Sequence, residues 1–242
     1  MATIDFSKIR GVILDFGGTL DTDGTHWSRV IESAYQEAGV ALTNEDFREA
    51  YIYAERELAR TLHILPHHNF GDMLLIKVKI ELQYLSEHGL FAPVLIDSKA
   101  REIADICHEA VVKQTSQSAE VLKALAEKWP LVLVSNFYGN IETVLSEFGI
   151  RQYFKAIIES AKVGVRKPDS RIFQLGIDTL GIKPEETLVI GDNYKKDIEP
   201  ATHLGCHALW LKGQGWSEEE ESQIHPHTIS HLDEILTLIA GI

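Results

Sequence analysis

A few side chains in this sequence combine reactive chemistry with a telling position. Asp15 follows the apolar run Gly11-Val12-Ile13-Leu14 and precedes Phe16-Gly17-Gly18-Thr19. Ser135 and Asn136 follow Leu131-Val132-Leu133-Val134, and Asp192 follows Thr187-Leu188-Val189-Ile190-Gly191, with Asp197 shortly after it. Lys167 stands in a loop-like segment, Gly164-Val165-Arg166-Lys167-Pro168-Asp169. Carboxylates brought together repel, and they tolerate proximity only with a proton, an ammonium or a metal between them. Asp15, Asp192 and Asp197 with Lys167 suit a hard cation with oxygen ligands, and Mg2+ fits best because it keeps waters and joins phosphates. A carboxylate beside such an ion can attack a phosphoryl group. Lys167 would neutralise charge, while Ser135 and backbone N–H groups would hold the phosphoryl oxygens.

For these residues to meet, the apolar runs must be strands of one sheet. Apolar runs without alternation read as central strands of a parallel sheet covered on both faces. In open α/β sheets the carboxyl ends of the strands form the ligand edge. The glycines after Asp15 allow a sharp turn and a close backbone approach. Further strands are expected at Ala156–Glu159 and His207–Leu211, with helices between them around Ile141–Phe148, Ile172–Leu180 and Ile198–Leu204. Strands alternating with helices imply βαβ units, hence an α/β fold with a parallel sheet.

The alternation is interrupted once. Helical periodicity begins at Trp27 and stops at Gly39; Thr43 caps a second helix with Phe47, Ala50, Tyr51, Ala54 and Leu58 on its apolar face. A third helix carries Leu74, Val78, Leu82 and Leu85, and a fourth starts at Asp97 or Ser98. Residues 22–117 are therefore expected to form an all-helical unit, and 1–21 with 118–242 the α/β core, which resumes with a separate short helix from Ala119 to Lys128. His63, His67 and His68 lie in a proline-broken connection without ligand spacing or a neighbouring acid, and read as solvated loop histidines. Lys77 and Lys79 read as surface lysines, and Glu218–Glu221 as a solvated acidic face.

Composition narrows the partners. Lys and Arg number 23 against 36 Asp and Glu, a net charge of −13, which argues against nucleic acid or an anionic membrane. Hydrophobic residues make up 45% of the 242, enough for a real core. The two cysteines, Cys107 and Cys206, are too few for a disulfide framework and read as reduced thiols of a cytoplasmic protein. No signal peptide or membrane span is visible. A monomer or weak homodimer is expected.

Taken in order, these segments resemble the motifs of the haloacid dehalogenase-like (HAD) superfamily of hydrolases. Asp15-Phe16-Gly17-Gly18-Thr19 is similar to its first motif, Ser135 to the second, Lys167-Pro168 to the third, and Gly191-Asp192-Asn193 with Asp197 to the fourth. The resemblance implies a Rossmann-like three-layer core with a helical cap inserted after the first motif. It implies Asp15 as nucleophile and metal ligand and Lys167 as the cation that steadies it. Ser135, Thr19 and Asn136 become substrate-binding groups. Asp15, the Gly17 carbonyl, Asp192 and Asp197 become the Mg2+ site. The implied partner is a small phosphorylated metabolite.

One position departs from the pattern. Most phosphatases of the family carry a second aspartate two residues after the nucleophile, where it protonates the leaving oxygen; here that residue is Gly17. A general acid is typically worth ~10²–10⁴-fold. Asp21 and Asp23 are close enough in sequence to be asked whether they replace it. The departure keeps alternatives open: carbon–halogen hydrolysis, in which the leaving halide needs no proton; phosphonate hydrolysis through a cap lysine forming a Schiff base; and a catalytically weak member that binds phosphorylated ligands.

Overall fold

The computed structural model describes residues 4–240. After β1 (Gly11–Leu14) come four helices: α1 (Trp27–Glu37), α2 (Asn44–Arg60), α3 (Phe70–Glu87) and α4 (Ile96–Lys128). The chain then runs β2 (Leu131–Ser135), α5 (Ile141–Glu147), β3 (Phe154–Glu159), α6 (Ser160–Val163), α7 (Arg171–Leu180) and β4 (Thr187–Gly191). A single π turn, Tyr194–Ile198, leads into α8 (Glu199–His203), followed by β5 (His207–Leu211), α9 (Glu218–Glu221), β6 (Thr228–Ile229) and α10 (Glu234–Ile239). The six-stranded sheet has the order β3-β2-β1-β4-β5-β6, and every pairing is parallel. This is the Rossmann-like α/β fold with a helical insertion.

The strands are apolar throughout because both faces of the sheet are covered. Successive side chains of a strand point to opposite faces. Accordingly Val12 and Leu14 join one core with Leu131, Leu133, Leu188 and Ile190, while Ile13 joins the other with Val132, Val134 and Val189. Helix α7 packs on the second face: Ile172, Phe173 and Ile177 belong to the core of Ile13. The first face continues without a break into the apolar faces of α1–α4.

Helix α4 departs from the sequence reading. It is one helix of 33 residues, with no break near Ala119. Buried Val111, Thr115, Ser118, Val121 and Leu122 form a continuous stripe, and Ser118 donates to the Leu20 carbonyl at 2.7 Å. Strand β6 and the 3-10 and π turns also lie outside the sequence reading, being too short to show a period.

Helices α1, α2 and α3 match their expected faces. Thr43 accepts from the Asp46 N–H at 3.1 Å, and Phe47, Ala50, Tyr51, Ala54 and Leu58 are the buried residues of α2. The connection before α3 is docked on the core. Thr143 Oγ1 donates to the Pro66 carbonyl at 2.6 Å, Asn140 Nδ2 to that of His68 at 3.0 Å, and the Phe70 N–H to Glu147 Oε2 at 2.7 Å. Phe16, directly after Asp15, is fully buried against Phe70, Phe137 and Phe148. The aromatic cluster thus joins the end of β1 to the start of α3.

Within the helical layer Glu81 is fully buried. Tyr35 Oη donates to its Oε2 at 3.0 Å, and Oε1 has no hydrogen-bond partner among the described residues. Burial pushes its carboxyl up to about 7, with Lys77 and Tyr35 opposing. A carboxyl whose folded pKa lies above its unfolded value is stabilising at low pH and loses that contribution as pH rises toward the folded value. The chain should therefore lose on the order of 3 kcal/mol between about pH 4.5 and pH 7 from this group. Glu81→Gln should flatten that part of the stability–pH profile and melt above the native protein at pH 8. Chemical denaturation across pH measures it, and identical profiles would refute it.

Candidate active site

Strands β2, β1 and β4 are neighbours in register, so Ser135, Asp15 and Asp192 emerge side by side at the carboxyl edge of the sheet. Carboxylate oxygens of Asp15, Asp192 and Asp197 lie within 4.8 Å of one another. The buried Lys167 Nζ is 2.8 Å from Asp15 Oδ1 and 2.6 Å from Asp197 Oδ1. Asp15 Oδ1 also accepts from the Phe16 N–H at 2.7 Å, whereas Asp15 Oδ2 has no hydrogen-bond donor among the described residues.

Small residues make this crowding possible. Gly18 has φ +91°, and a Cβ there would lie 2.2 Å from Asp192 Oδ2. A Cβ on Gly191 would lie 2.5 Å from the Asp197 side chain. The π turn then brings Asp197 back toward the strand end: its N–H donates to the Asn193 carbonyl at 2.8 Å and its Oδ2 accepts from the Asn193 N–H at 3.1 Å.

Three carboxylates face one ammonium. Burial first, then Asp197 and Asp15, push the Asp192 carboxyl well above its usual range; burial also raises that of Asp197. Burial works against the charge of Lys167, but Asp15 and Asp197 more than offset it and hold it raised. An all-oxygen donor set with surplus negative charge fits a hard divalent cation. Asp15, Asp192 and Gly17 also line a cavity of about 570 Å³, while Asp197 stands behind Lys167 and off that wall.

The other expected residues are spread between the cavity wall and the packing behind it. Thr19 does not line the cavity; it is fully buried, and its hydroxyl donates to Asp192 Oδ1 at 3.0 Å. Asn136 does line the cavity, but its amide brackets the backbone of Lys167: Oδ1 accepts from the Lys167 N–H at 2.8 Å and Nδ2 donates to its carbonyl at 3.0 Å. Ser135 lines the cavity as expected. Asp21 and Asp23 do not. The Gly18 N–H and the Trp27 indole donate to Asp21 at 2.7 and 2.8 Å, and Asp23 holds His231 and the Leu232 N–H.

Lys77 is a second correction. It is buried at the cavity wall, paired with Glu55 and 4.2 Å above the Tyr51 ring. Its neighbours, Glu55 foremost, overcome burial and raise its pKa, so it stays an ammonium and offers no free amine for a Schiff base. Of the three histidines in the connection before α3, His63 lines the cavity and pairs with Glu57 at 3.0 Å, and none joins a metal-ligand cluster among the described residues. The sequence reading passed over Glu55, Tyr138 and Lys196 as cavity residues. The adjacency of Lys196 to Asp197 was the one available signal.

The haloacid dehalogenase-like hydrolase family model matches residues 9–205. The chain belongs to this family. Among HAD relatives, the Escherichia coli (strain K12) 5-amino-6-(5-phospho-D-ribitylamino)uracil phosphatase YigB is 32% identical over 51% of this chain and 51% of its own. The chain thus spans about half the length of that relative. A phosphoglycolate phosphatase of Yersinia pseudotuberculosis is 25% identical over 98% of this chain and 95% of its own. A solved dehalogenase with an intermediate complex superposes with TM-score 0.63 at 17% identity, covering 96% of this chain and 98% of that one, a likeness of fold alone.

If Thr19 positions Asp192, Thr19→Val should destabilise the fold by about 1–3 kcal/mol, because a buried carboxylate loses its donor. Thermal unfolding measures it. A rise in KM with stability unchanged would instead put the hydroxyl on substrate.

Proposed function

We propose that this HAD chain is a Mg2+-dependent phosphatase of small phosphorylated metabolites, acting through a phosphoryl group carried on Asp15. The observation that carries this reading is the charge pattern: three converging carboxylates and one ammonium, with Asp15 lining a cavity and its Oδ2 without a donor among the described residues. The phosphatase relatives support the same reaction class.

Asp15 and Asp192, with the Gly17 carbonyl, would hold the ion, and Asp197 would ligate it or hold a water bound to it. The ion supplies charge neutralisation for phosphoryl oxygens and for the crowded carboxylates. Asp15 Oδ2 attacks phosphorus, forming an O–P bond as the bond to the leaving oxygen breaks. Lys167 fixes the other oxygen of Asp15, and Ser135 holds a phosphoryl oxygen. Water then hydrolyses the acyl phosphate and frees Asp15.

The leaving oxygen needs a proton, and the wall offers no group well suited to give one. Gly17 has no side chain. Glu55 is held charged, since Lys77 and Tyr138 outweigh its burial. His26 is kept neutral chiefly by burial, its pKa pushed down to about 3. Without an acid at the Gly17 position the enzyme would favour leaving groups of low basicity, which depart without a proton. Carbon–halogen hydrolysis shares this independence from a proton donor, but surplus carboxylate charge suits a cation and not a departing halide.

Two expectations follow. Native protein should hydrolyse p-nitrophenyl phosphate far faster than an alkyl phosphate, and Asp15→Asn should abolish both. A Cβ at Gly17 meets nothing closer than Trp27 at 3.9 Å, so Gly17→Asp should fold and raise alkyl-phosphate turnover by about tenfold or more. Equal native rates on both esters, or no gain in the variant, would contradict the assignment. Separately, without divalent cation Asp192→Asn should melt above the native protein, because repulsion is relieved. Mg2+ at a hundredfold over its Kd should add about 2.7 kcal/mol to the native protein and nothing to the variant. A native melting point indifferent to Mg2+ would remove the ion from the proposal.

A further inference from the structure

The helical side of the cavity carries a built ion pair. Lys77 of α3 meets Glu55 of α2 in its wall, and Tyr138 Oη, from the loop after β2, donates to the same Glu55 Oε1 at 3.2 Å. Lys77 is only 4% exposed and lies 4.2 Å above the Tyr51 ring. Of the lysines and arginines on the wall, Lys77 and Lys167 alone are buried; Arg60, Arg166 and Lys196 are exposed. Glu55 is the one carboxylate on the wall, among the described residues, apart from Asp15 and Asp192. Lys77 with Glu55 is therefore a second fixed charge pair, set apart from the one at the strand ends.

The pair has hydrogen-bonding capacity to spare. An ammonium carries three donors, and each oxygen of a carboxylate accepts. Lys77 Nζ gives one hydrogen to Glu55 Oε1 and has no other acceptor among the described residues. Both donors to Glu55 go to Oε1, and Oε2 has none among the described residues. Glu81 Oε1, in the same helical layer, also lacks a partner but is sealed in, whereas the Glu55 side chain is 38% exposed and opens on the cavity. Burial opposes the charge on each group, but each partner outweighs it for the other, so both stay ionised and sum to zero. A charged ligand group would meet one of the two as a like charge, and an apolar one would leave both desolvated. A hydroxyl has a hydrogen to give and lone pairs to accept with, so it satisfies both at once.

We propose that the part of the substrate released on phosphoryl transfer carries a hydroxyl, which donates to Glu55 Oε2 and accepts from Lys77 Nζ. The inference rests on the phosphatase reading and names a substrate class within it: phosphate esters with a second, unphosphorylated hydroxyl. Glu55 and Lys77 are then specificity residues, holding the leaving part of the substrate and taking no part in bond making.

The test compares short alkyl phosphates of graded chain length with ω-hydroxyalkyl phosphates of the same lengths, each as a competitive inhibitor of p-nitrophenyl phosphate hydrolysis. A hydroxyl that enters a cavity and finds no partner weakens binding, so a gain is diagnostic. At one or more lengths the native protein should bind the hydroxylated member about tenfold tighter. Glu55→Leu combined with Lys77→Met replaces the pair by apolar side chains, a change that buried ion pairs commonly tolerate, and there the hydroxyl should bring no gain. Equal native binding at every length, or a gain that survives in the double variant, would overturn the inference while leaving the phosphatase reading in place. The native comparison decides by itself should the double variant fail to fold. Absence of p-nitrophenyl phosphate turnover would overturn both.

Discussion

One ammonium shared between two carboxylates organises this structure. Lys167 is buried, and its Nζ joins Asp15 at the end of β1 to Asp197 in the turn after β4. Burial alone would favour the neutral amine, so the charge survives only because both acids are within hydrogen-bond distance. The third acid, Asp192, accepts from the Thr19 hydroxyl and has no ion-pair partner among the described residues. The core is consequently built with a deficit of positive charge at its carboxyl edge, and the proposed divalent ion is what removes it.

The supports of this arrangement lie outside the reacting groups. Asn136 brackets the backbone of Lys167 on both its N–H and its carbonyl, so the position of the ammonium is set from β2. Thr19 and Gly18, from the first loop, hold and admit Asp192, while Asn193 and Gly191 do the same for Asp197. Glu220 extends the support outward: its Oε1 accepts from Asn193 Nδ2 at 2.5 Å and its Oε2 from the Trp216 N–H at 3.0 Å. Glu220 therefore belongs to the scaffold of the site, where the acidic run it sits in had suggested only a solvated face.

The fold and the convergence of the acids were legible because both follow from one-dimensional patterns. Fully apolar runs marked strands buried on two faces, and the polar residue after each marked the ligand edge. What escaped depended on partners distant in sequence. Lys77 sits on a helix whose spacing is compatible with exposure, and only Glu55 of another helix turns it inward. Thr19 could have faced either phosphate or protein, and nothing in its neighbours ranks Asp192 above a ligand. The unbroken helix α4 escaped because the expected boundary was drawn from a change of pattern further along the chain, whereas one buried stripe serves both the helical layer and the sheet.

The same long-range contacts explain what Gly17 does to the site. Removing a side chain next to a nucleophile would ordinarily open a gap for water or for another acid to enter. Here the neighbouring wall is the Trp27 ring, 3.9 Å from where a Cβ on Gly17 would stand, and its indole N–H is committed to Asp21. Asp21 is in turn fixed by the Gly18 N–H and kept off the cavity, so the acid nearest in sequence cannot swing in without releasing the loop that carries Gly18. On the proposed phosphatase reading, the place of a proton donor at Gly17 is thus enclosed by packing that keeps Asp21 away from it. On that reading, selectivity would come from the basicity of the leaving group itself.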